Sequence, residues 1–544
     1  MLQGLTQDYQ LTLPAILKRA DDLYGKREIV TRRPDKSFHR YTYADFVSRS
    51  KKLAVALKSL GVENGDRVVT LAWNTYQHLE AYFGVPCSGA VLHTLNPRLH
   101  EDDLAYIANH AEDKVVMVDE PLLSIFESFR EKAETIEHVI AFNYGAEPVP
   151  EGMISYEELL EGADEDDFEY PEDLDERQAA ALCYTSGTTG RPKGALYSHR
   201  GVVLHSMMSA MGNVFALSDN DVVLPVVPMF HVNAWGLPYT ATLTGSKQVF
   251  PGQHLDAVSL IEDYEQEKVT FTAGVPTVFL AMLQTLDDEP GEHDLSSLHS
   301  LIIGGSAAPR AVIEAYKERH GINVIHAWGM TEMDPIGSVA HLTPEIRTLP
   351  EEEQLDYKAK QGYPTPFVEI RARGDEGLVP WDGETMGELE VRGPSIIKSY
   401  FNTEEGDEKF TEDGWFVTGD IVTIDEHGFI EIQDRDKDLV KSGGEWISSV
   451  ALENALMSHP AVAEAAVIAI DDEKWDERPL AVVVLKEGEN ATPEDLKKHL
   501  EGDFASWWLP DAYEFVDEIP KTATGKFLKL ELRNQFENYS VAKG

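Results

Sequence analysis

The sequence predicts an α/β protein: a large N-terminal domain of doubly wound, mostly parallel sheets with a β subdomain, followed by a small α+β domain. Three observations carry that expectation. Short apolar runs alternate with segments of helical period from Arg67 to His326, and such spacing builds parallel sheets because each strand returns through a helix. From about Phe367 the pattern becomes antiparallel β, with a turn at Asp425-Glu-His-Gly428. Beyond the charged stretch Asp434-Arg-Asp-Lys-Asp438, which reads as a linker, a shorter mixed series runs to the C-terminus. The expected domains are residues 1–434 and 435–544.

In chain order, Leu13–Tyr24 reads as a helix, Glu28–Thr31 with His39–Tyr43 as a hairpin, and Tyr43–Leu60 as a helix that Gly61 and Gly65 end. Arg67–Ala72, Ala90–Leu95 and Lys114–Val118 read as strands, with helices Tyr76–Cys87 and Glu101–His110 between them. Residues 146–178 are acidic, carry proline and glycine, and read as a surface connection between two sheet subdomains. Ala179–Tyr184 is a buried strand. A second series starts at the loop after it, with strands Asp221–Pro228, Lys247–Phe250, Val269–Val275, Leu298–Gly304 and Asn323–His326. The antiparallel part comprises Gly387–Gly393, Trp415–Ile424 and Phe429–Gln433. The C-terminal part holds helices Ser448–His459 and Pro493–Phe504 and strands Ala463–Ile470, Pro479–Leu485 and Tyr513–Val516. Ligands of doubly wound sheets sit outside the carboxyl ends of the strands, so those ends are where chemistry is expected.

At 544 residues the chain is too long for one simple core. Its 95 acidic and 47 basic side chains give a net charge of −48, which excludes nucleic-acid binding through a basic face and attraction to an anionic membrane surface. Disorder does not fit a chain that is 42% hydrophobic with regular strand and helix patterns. The expectation is a folded, halophilic protein whose acidic surface stays hydrated in concentrated salt. Cys87 and Cys183 lie in apolar contexts and read as core residues in a reducing compartment. Residues 1–8 lack the order of a signal peptide, and no run approaches the length of a membrane span. A cytoplasmic location is expected.

One loop carries the strongest chemistry: Tyr184-Thr-Ser-Gly-Thr-Thr-Gly-Arg-Pro-Lys-Gly194. Gly187, Gly190 and Gly194 let the backbone approach a ligand closely. Thr185, Ser186, Thr188 and Thr189 supply hydroxyls, and Lys193 a mobile positive charge. Backbone N–H groups, hydroxyls and a lysine together suit a phosphate chain. A surface turn explains the glycines, but not four hydroxyls and a lysine beside them. The spacing is not that of a G-x-x-x-x-G-K-[ST] P-loop, which removes the main support for a kinase or GTPase.

This loop resembles the signature of the adenylate-forming (AMP-binding) superfamily, which includes acyl-CoA synthetases, peptide-synthetase adenylation domains and firefly luciferase. There it holds the β- and γ-phosphates of ATP. Further segments resemble the family in family order. Pro228-Met-Phe-His-Val-Asn-Ala-Trp-Gly236 implies that His231 lies by the carboxylate being activated. The resemblance further implies an acyl pocket of His231, Val232, Trp235, Gly304 and Trp328, with Trp235 as its gate. Ile302-Ile-Gly-Gly-Ser-Ala-Ala-Pro309 implies that Gly305, Ser306 and Ala307 flank adenine. His326-Ala-Trp-Gly-Met-Thr-Glu332 resembles the family's Tyr-Gly-x-Thr-Glu motif. It implies nucleotide contacts from His326, Ala327, Trp328, Gly329 and Met330, with Thr331 at the α-phosphate. Glu332 and Thr185 would then hold Mg²⁺, a hard cation that takes oxygen ligands. Trp328 stands where tyrosine is usual, so the ring for stacking is kept and its hydroxyl is not.

Thr418-Gly-Asp420, followed by Arg435 in Gln433-Asp-Arg-Asp-Lys-Asp438, implies a carboxylate accepting both ribose hydroxyls. Arg435 would contact ribose or phosphate, Ile432 the nucleotide, and Lys437 would be the hinge of a mobile C-terminal domain. Lys441-Ser-Gly-Gly-Glu-Trp-Ile447 resembles the loop that forms the pantetheine tunnel, assigning Lys441, Ser442, Gly443, Gly444, Glu445 and Trp446 to CoA. Pro520-Lys-Thr-Ala-Thr-Gly-Lys526 implies that Lys526 offsets charge during adenylation, with His231, Thr331 and Lys441 the other catalytic residues. The resemblance implies a cytoplasmic enzyme using ATP, Mg²⁺ and CoA on a carboxylic acid, and makes a homodimer reasonable. A ligase for medium- to long-chain fatty acids is favoured. A ligase for a short acid such as 3-(methylthio)propanoate is the runner-up. Other readings are a free-standing adenylation enzyme loading a carrier protein, a luciferase-type oxygenase and a silent relative. The retained Lys526 and Glu332 speak against the last.

Overall fold

The computed structural model describes residues 2, 4–145, 149–171, 173–185, 191–435, 437–442, 445–472, 475–501, 504–521, 527–536 and 539. They form an α/β fold of four sheets. The first sheet orders its strands as Ile154–Ser155, His138–Phe142, Asp113–Asp119, Arg67–Leu71, Val91–Thr94, Ala179–Tyr184 and Gly194–Ser198. All its pairs are parallel except the last, where Gly194–Ser198 runs back along Ala179–Tyr184. Its strands read as near-continuous apolar runs because both faces are covered; Val115 to Val118 are all fully buried.

The second sheet has nine strands: Tyr363–Pro364, Ile336–Val339, Asn323–Gly329, Ser300–Ile303, Phe271–Gly274, Val222–Pro225, Lys247–Phe250, Glu28–Arg32 and Phe38–Thr42. Its centre is parallel and both ends are antiparallel. Helix Tyr43–Ser59 starts on a capping box, in which Thr42 and Asp45 satisfy each other's backbone N–H groups. Helix Tyr76–Cys87 is buried on every side. It can approach helix Tyr43–Ser59 closely because residue 84 is glycine; a Cβ there would stand 2.7 Å from Leu53 Cδ2.

Two expectations change. The strands on either side of the phosphate-type loop belong to the first sheet, whereas the N-terminal hairpin joins the second through parallel pairing of Glu28–Arg32 with Lys247–Phe250. The sheets thus exchange edges, which local periodicity does not record. The acidic stretch 146–178 consequently leads back into the sheet it left. It contains strand Ile154–Ser155 and helix Tyr156–Glu161, anchored where Tyr156 donates to the buried Glu80 at 2.7 Å and Arg49 grips Glu157 at 2.8 and 2.9 Å.

The third sheet is antiparallel: Gly377–Leu378, Glu369–Gly374, Gly387–Arg392, Phe416–Ile424 and Ile430–Arg435. The fourth is built around the antiparallel pair Val462–Asp472 and Asp476–Leu485; hairpin Val440–Ser442 and Glu445–Ile447 and, in parallel, Ala512–Phe515 both pair with the other edge of Asp476–Leu485. One apolar cluster runs from Leu13 to Ile430 through both large sheets and the third, while residues 440–509 form a core of their own. The charged stretch 434–438 is not a free linker. Asp434 and Arg435 end a strand, and the buried Asp434 accepts the Ser449 backbone N–H at 2.8 Å. Burial raises the Asp434 carboxyl above the usual range despite Lys529 nearby.

Candidate active site

A cavity of about 390 Å³ lies where the second sheet's strands end, walled by the third sheet and the C-terminal segment Phe527–Leu530. Lining it are Thr185, Lys193, His231, Val232, Trp235, Gly304, Gly305, Ala327, Trp328, Gly329, Met330, Thr331, Glu332, Arg435 and Lys437. The stretches singled out in the sequence, over 250 residues apart at the extremes, therefore share one wall.

The loop mouth is closed by backbone pairing: Thr185 N–H donates to Lys193 O at 2.9 Å, and Lys193 N–H donates to Thr185 Oγ1 at 3.1 Å. The Lys193 ammonium lies 3.3 Å from Glu405 and over the Tyr400 ring. Tyr400 in turn donates its hydroxyl to Glu332 Oε1 at 2.6 Å. Burial, then the Glu332 charge, push the Tyr400 phenol well above its ordinary range, so it remains a donor. Tyr197 fixes the neighbouring turn by donating to the Thr331 carbonyl at 2.5 Å.

Asp420 is buried behind the cavity wall. Its Oδ2 accepts Trp328 Nε1–H at 3.1 Å, and its Oδ1 lies 2.8 Å from Arg435 Nε. Arg435 also donates to the Thr418 carbonyl at 3.3 Å. The indole at position 328 thus does polar work as well as offering a ring. Each carboxylate oxygen retains a free lone-pair direction for a further donor.

The apolar end of the cavity rests on an unusual backbone. Val232, Asn233, Ala234 and Trp235 have φ of 44°, 52°, 50° and 55°, a left-handed turn closed by Gly236 at 72°. Left-handed backbone costs roughly 1–2 kcal/mol per non-glycine residue. Burying one tryptophan returns ~5 kcal/mol, and Trp235 is 6% exposed with Val232 and Ala234 buried beside it. Trp235 fits because residue 304 is glycine: a Cβ there would meet its Cη2 at 3.0 Å and the Ala327 carbonyl at 2.9 Å. Beneath this turn, Ile336 N–H donates to His205 Nε2, and burial pulls the His205 imidazole down to about 3. Asp334 is buried there too, with Oδ2 unpaired, and burial raises its carboxyl well above the carboxylate range.

Other expected residues lie elsewhere. Ser306 is exposed and Ala307 half-buried, and neither lines the cavity. His326 is buried with Nδ1 at 2.9 Å from the Ala359 carbonyl, and Ile432 N–H donates to Gln361. Both are supports one layer behind the wall. Lys441 and Ser442 belong to the hairpin of the fourth sheet; Lys441 N–H donates to Glu477, and Ser442 accepts from Arg478. Neither reaches the cavity. Glu445 and Trp446 are described only as backbone of that hairpin, paired with Ser442 and Lys441. Ser186, Gly187, Thr188, Thr189, Gly190, Gly443, Gly444 and Lys526 lie outside the described residues. The sequence reading missed Tyr400 and Asp334, because a lone tyrosine after Lys398-Ser399 and an Asp-Pro pair carry no local signature.

Residues 17–401 match the AMP-binding enzyme family, and residues 451–526 its C-terminal domain. The chain belongs to the AMP-binding enzyme family. Among its relatives is a long-chain-fatty-acid–CoA ligase of Thermus thermophilus, 52% identical over 98% of this chain and 97% of that one. Another is a 3-methylmercaptopropionyl-CoA ligase of Ruegeria lacuscaerulensis, 42% identical over 98% and 99%. The crystal structure of an anthranilate CoA ligase with anthranoyl-AMP superposes with a TM-score of 0.85 at 26% identity, covering 97% of this chain and 98% of that one. As in the sequence reading, no described helix is long and apolar enough to cross a membrane.

Proposed function

We propose that the chain is an ATP-dependent acid–CoA ligase of the AMP-forming type, acting on medium- to long-chain fatty acids. The observation that carries this reading is one cavity joining a nucleotide-type wall (Trp328 and Arg435, both held by Asp420 behind them) to an apolar end at Val232 and Trp235. In the first half-reaction the substrate carboxylate attacks the α-phosphorus of ATP, forming an acyl–phosphate bond and releasing pyrophosphate. In the second, the CoA thiol attacks the acyl carbonyl, forming the thioester, losing its proton and expelling AMP.

Asp420 would accept the ribose hydroxyls, held in place by Trp328 and Arg435. Thr185 and Lys193 would meet the phosphates, Thr331 the α-phosphate, and His231 the acid's carboxylate. Glu332 fits a Mg²⁺ ligand: its Oε1 is held by Tyr400, and its Oε2 has no hydrogen-bond partner among the described residues. When bound, Mg²⁺ supplies positive charge that offsets the phosphate oxygens. Preorganised charge of this kind is the main catalytic resource of such a site, and Lys526 is assigned to the same task.

Residues 435–544 are proposed as a domain that turns about Lys437. Its segment Phe527–Leu530, directly after Lys526, walls the cavity, whereas Lys441 and Ser442 stand away from it. This placement favours the first half-reaction; bringing the Lys441–Trp446 hairpin to the cavity requires a hinge motion. The Thermus relative's name supports a long acyl chain, and the Ruegeria relative's name keeps a short thioether acid as a second reading.

The test is acid-dependent AMP formation with ATP, Mg²⁺ and CoA in molar KCl, over acids from propanoate to palmitate, 3-(methylthio)propanoate and benzoate. A maximum between octanoate and palmitate, lost in Lys526→Ala, is expected. A maximum at the thioether acid would keep the mechanism and replace the substrate. No AMP with any acid would refute the ligase.

A further inference from the structure

Lys409 lines the same cavity but belongs to none of the motifs above. It ends a short turn, Asp407–Lys409, that begins at Gly406 with φ of 99°. That glycine seats the turn on the Lys193–Tyr400 wall: a Cβ there would stand 2.7 Å from the Tyr400 ring and 3.4 Å from Lys193 Nζ. The side chain reaches Gly419, where its Nζ lies 3.1 Å from the place a Cβ on that residue would occupy. Gly419 is the residue before Asp420.

The other half-buried or buried cations lining the cavity each have a carboxylate. Lys193 has Glu405 at 3.3 Å, Lys529 has Glu453 at 2.7 Å and Arg533 has Asp438 at 2.5 Å. Of the exposed ones, Arg435 has Asp420, whereas Arg191 and Lys437 have no carboxylate among the described residues. Lys409 is half-buried, and its ammonium makes no hydrogen bond or ion pair among the described residues, although four acidic residues lie between positions 404 and 408. In a chain with twice as many acids as bases, a cation against a glycine turn with no partner among the described residues is a donor available to a bound anion.

We propose that Lys409 binds the 5′-phosphate of the adenylate, in AMP and in its mixed anhydride with the acid. The assignment rests on the ligase reading and specifies it. Asp420 takes the ribose, so the anion attached to that ribose is the one within reach of an ammonium beside Gly419. A lysine has donors only and offers the phosphoryl oxygens a charge-assisted hydrogen bond.

The experiment is calorimetric titration of the full-length protein with AMP and, separately, with adenosine, without Mg²⁺ or CoA, for the wild type, Lys409→Met and Lys409→Arg. Lys409→Met is expected to weaken AMP binding by about tenfold to a hundredfold, to leave adenosine binding unchanged and to flatten the dependence of AMP affinity on KCl. Lys409→Arg is expected to retain AMP binding, and Lys409→Gln replaces the Met variant if that one does not fold. AMP affinity unchanged in the neutral variants, or AMP and adenosine lost together, overturns the proposal while leaving the ligase standing. A raised KM for CoA with AMP affinity intact assigns Lys409 to CoA and likewise overturns it. A wild type that binds neither AMP nor adenosine refutes the ligase reading itself.

Discussion

Replacing Tyr400 with phenylalanine isolates one oxygen. The hydroxyl donates to Glu332 Oε1 at 2.6 Å, and both residues are under 10% exposed, so water does not readily take its place. A hydrogen bond to a charged acceptor contributes about 1.5–3 kcal/mol, equivalent to about tenfold to a hundredfold in an equilibrium constant. Groups that orient a metal-binding carboxylate show losses of the same size in metal affinity. A competing effect has the opposite sign: Oε1 loses a donor and gains a free lone pair for the cation. Orientation should win, because a glutamate freed from its only side-chain partner among the described residues regains rotamer entropy worth about 1–2 kcal/mol, and a second lone pair does not fix geometry. Tyr400→Phe should therefore raise the Mg²⁺ concentration for half-maximal acyl-adenylate formation about tenfold, read from acid-dependent pyrophosphate exchange at fixed ATP. Metal-free AMP binding should be unchanged. Equal loss of AMP affinity without metal would refute the reasoning and place Tyr400 in the general packing of the wall.

Gly304→Ala should press on Trp235 and the Ala327 carbonyl, since a Cβ meets them at 3.0 and 2.9 Å. Overpacking of about 1–3 kcal/mol should raise the KM for the acid about tenfold with the KM for ATP unchanged, measured by steady-state AMP release. Asp334→Asn should stabilise the fold increasingly as pH rises. Burial raises the folded carboxyl's pKa, so stability is full below the unfolded value and falls by ~1.4 kcal/mol per pH unit as the unfolded chain alone releases its proton. Asparagine cannot ionise, and scanning calorimetry from about pH 4 to about pH 8 should show its advantage growing; a constant or shrinking advantage would count against a neutral Asp334.

The elements most legible in the sequence are those whose period is unbroken. Helix Tyr76–Cys87 and strand Lys247–Phe250 have the bounds that the pattern predicts. Edges were less legible. Whether Glu28–Arg32 pairs with Lys247–Phe250 or with a strand of the first sheet depends on contacts between residues over 200 positions apart, and apolar alternation is the same in both cases. The site splits in the same way. Motif positions such as Thr185, Glu332 and Arg435 carry their chemistry in residue type and order, and they share one cavity. Tyr400, Asp334 and Lys409 stand out through geometry alone: a hydroxyl meeting Glu332 across 68 positions, a buried carboxyl with Oδ2 unpaired among the described residues, and a lysine beside a glycine turn. Single side chains of that kind leave no local pattern to read.

The charge of −48 sets a contest that salt can decide. Raising KCl from about 0.1 M to about 1 M shortens the screening length from ~10 Å to ~3 Å. That weakens exposed ion pairs such as Lys18–Asp22 and Lys268–Asp294, each worth ~0–1 kcal/mol. Buried or half-buried pairs such as Lys529–Glu453 and Arg49–Glu80 are screened much less. The same change removes repulsion among 48 uncompensated negative charges, which act over distances between the two screening lengths, where salt has most effect. Repulsion should therefore lose more than attraction, and the folded state should gain. A gain of ~5 kcal/mol corresponds to about 5 °C in Tm for a unit of this size, from an unfolding entropy of ~2 cal/mol/K per residue. Scanning calorimetry in KCl against equal osmolality of sucrose separates screening from solvent exclusion. A Tm that rises only in sucrose, or falls in KCl, would mean that the exposed ion pairs outweigh the net charge.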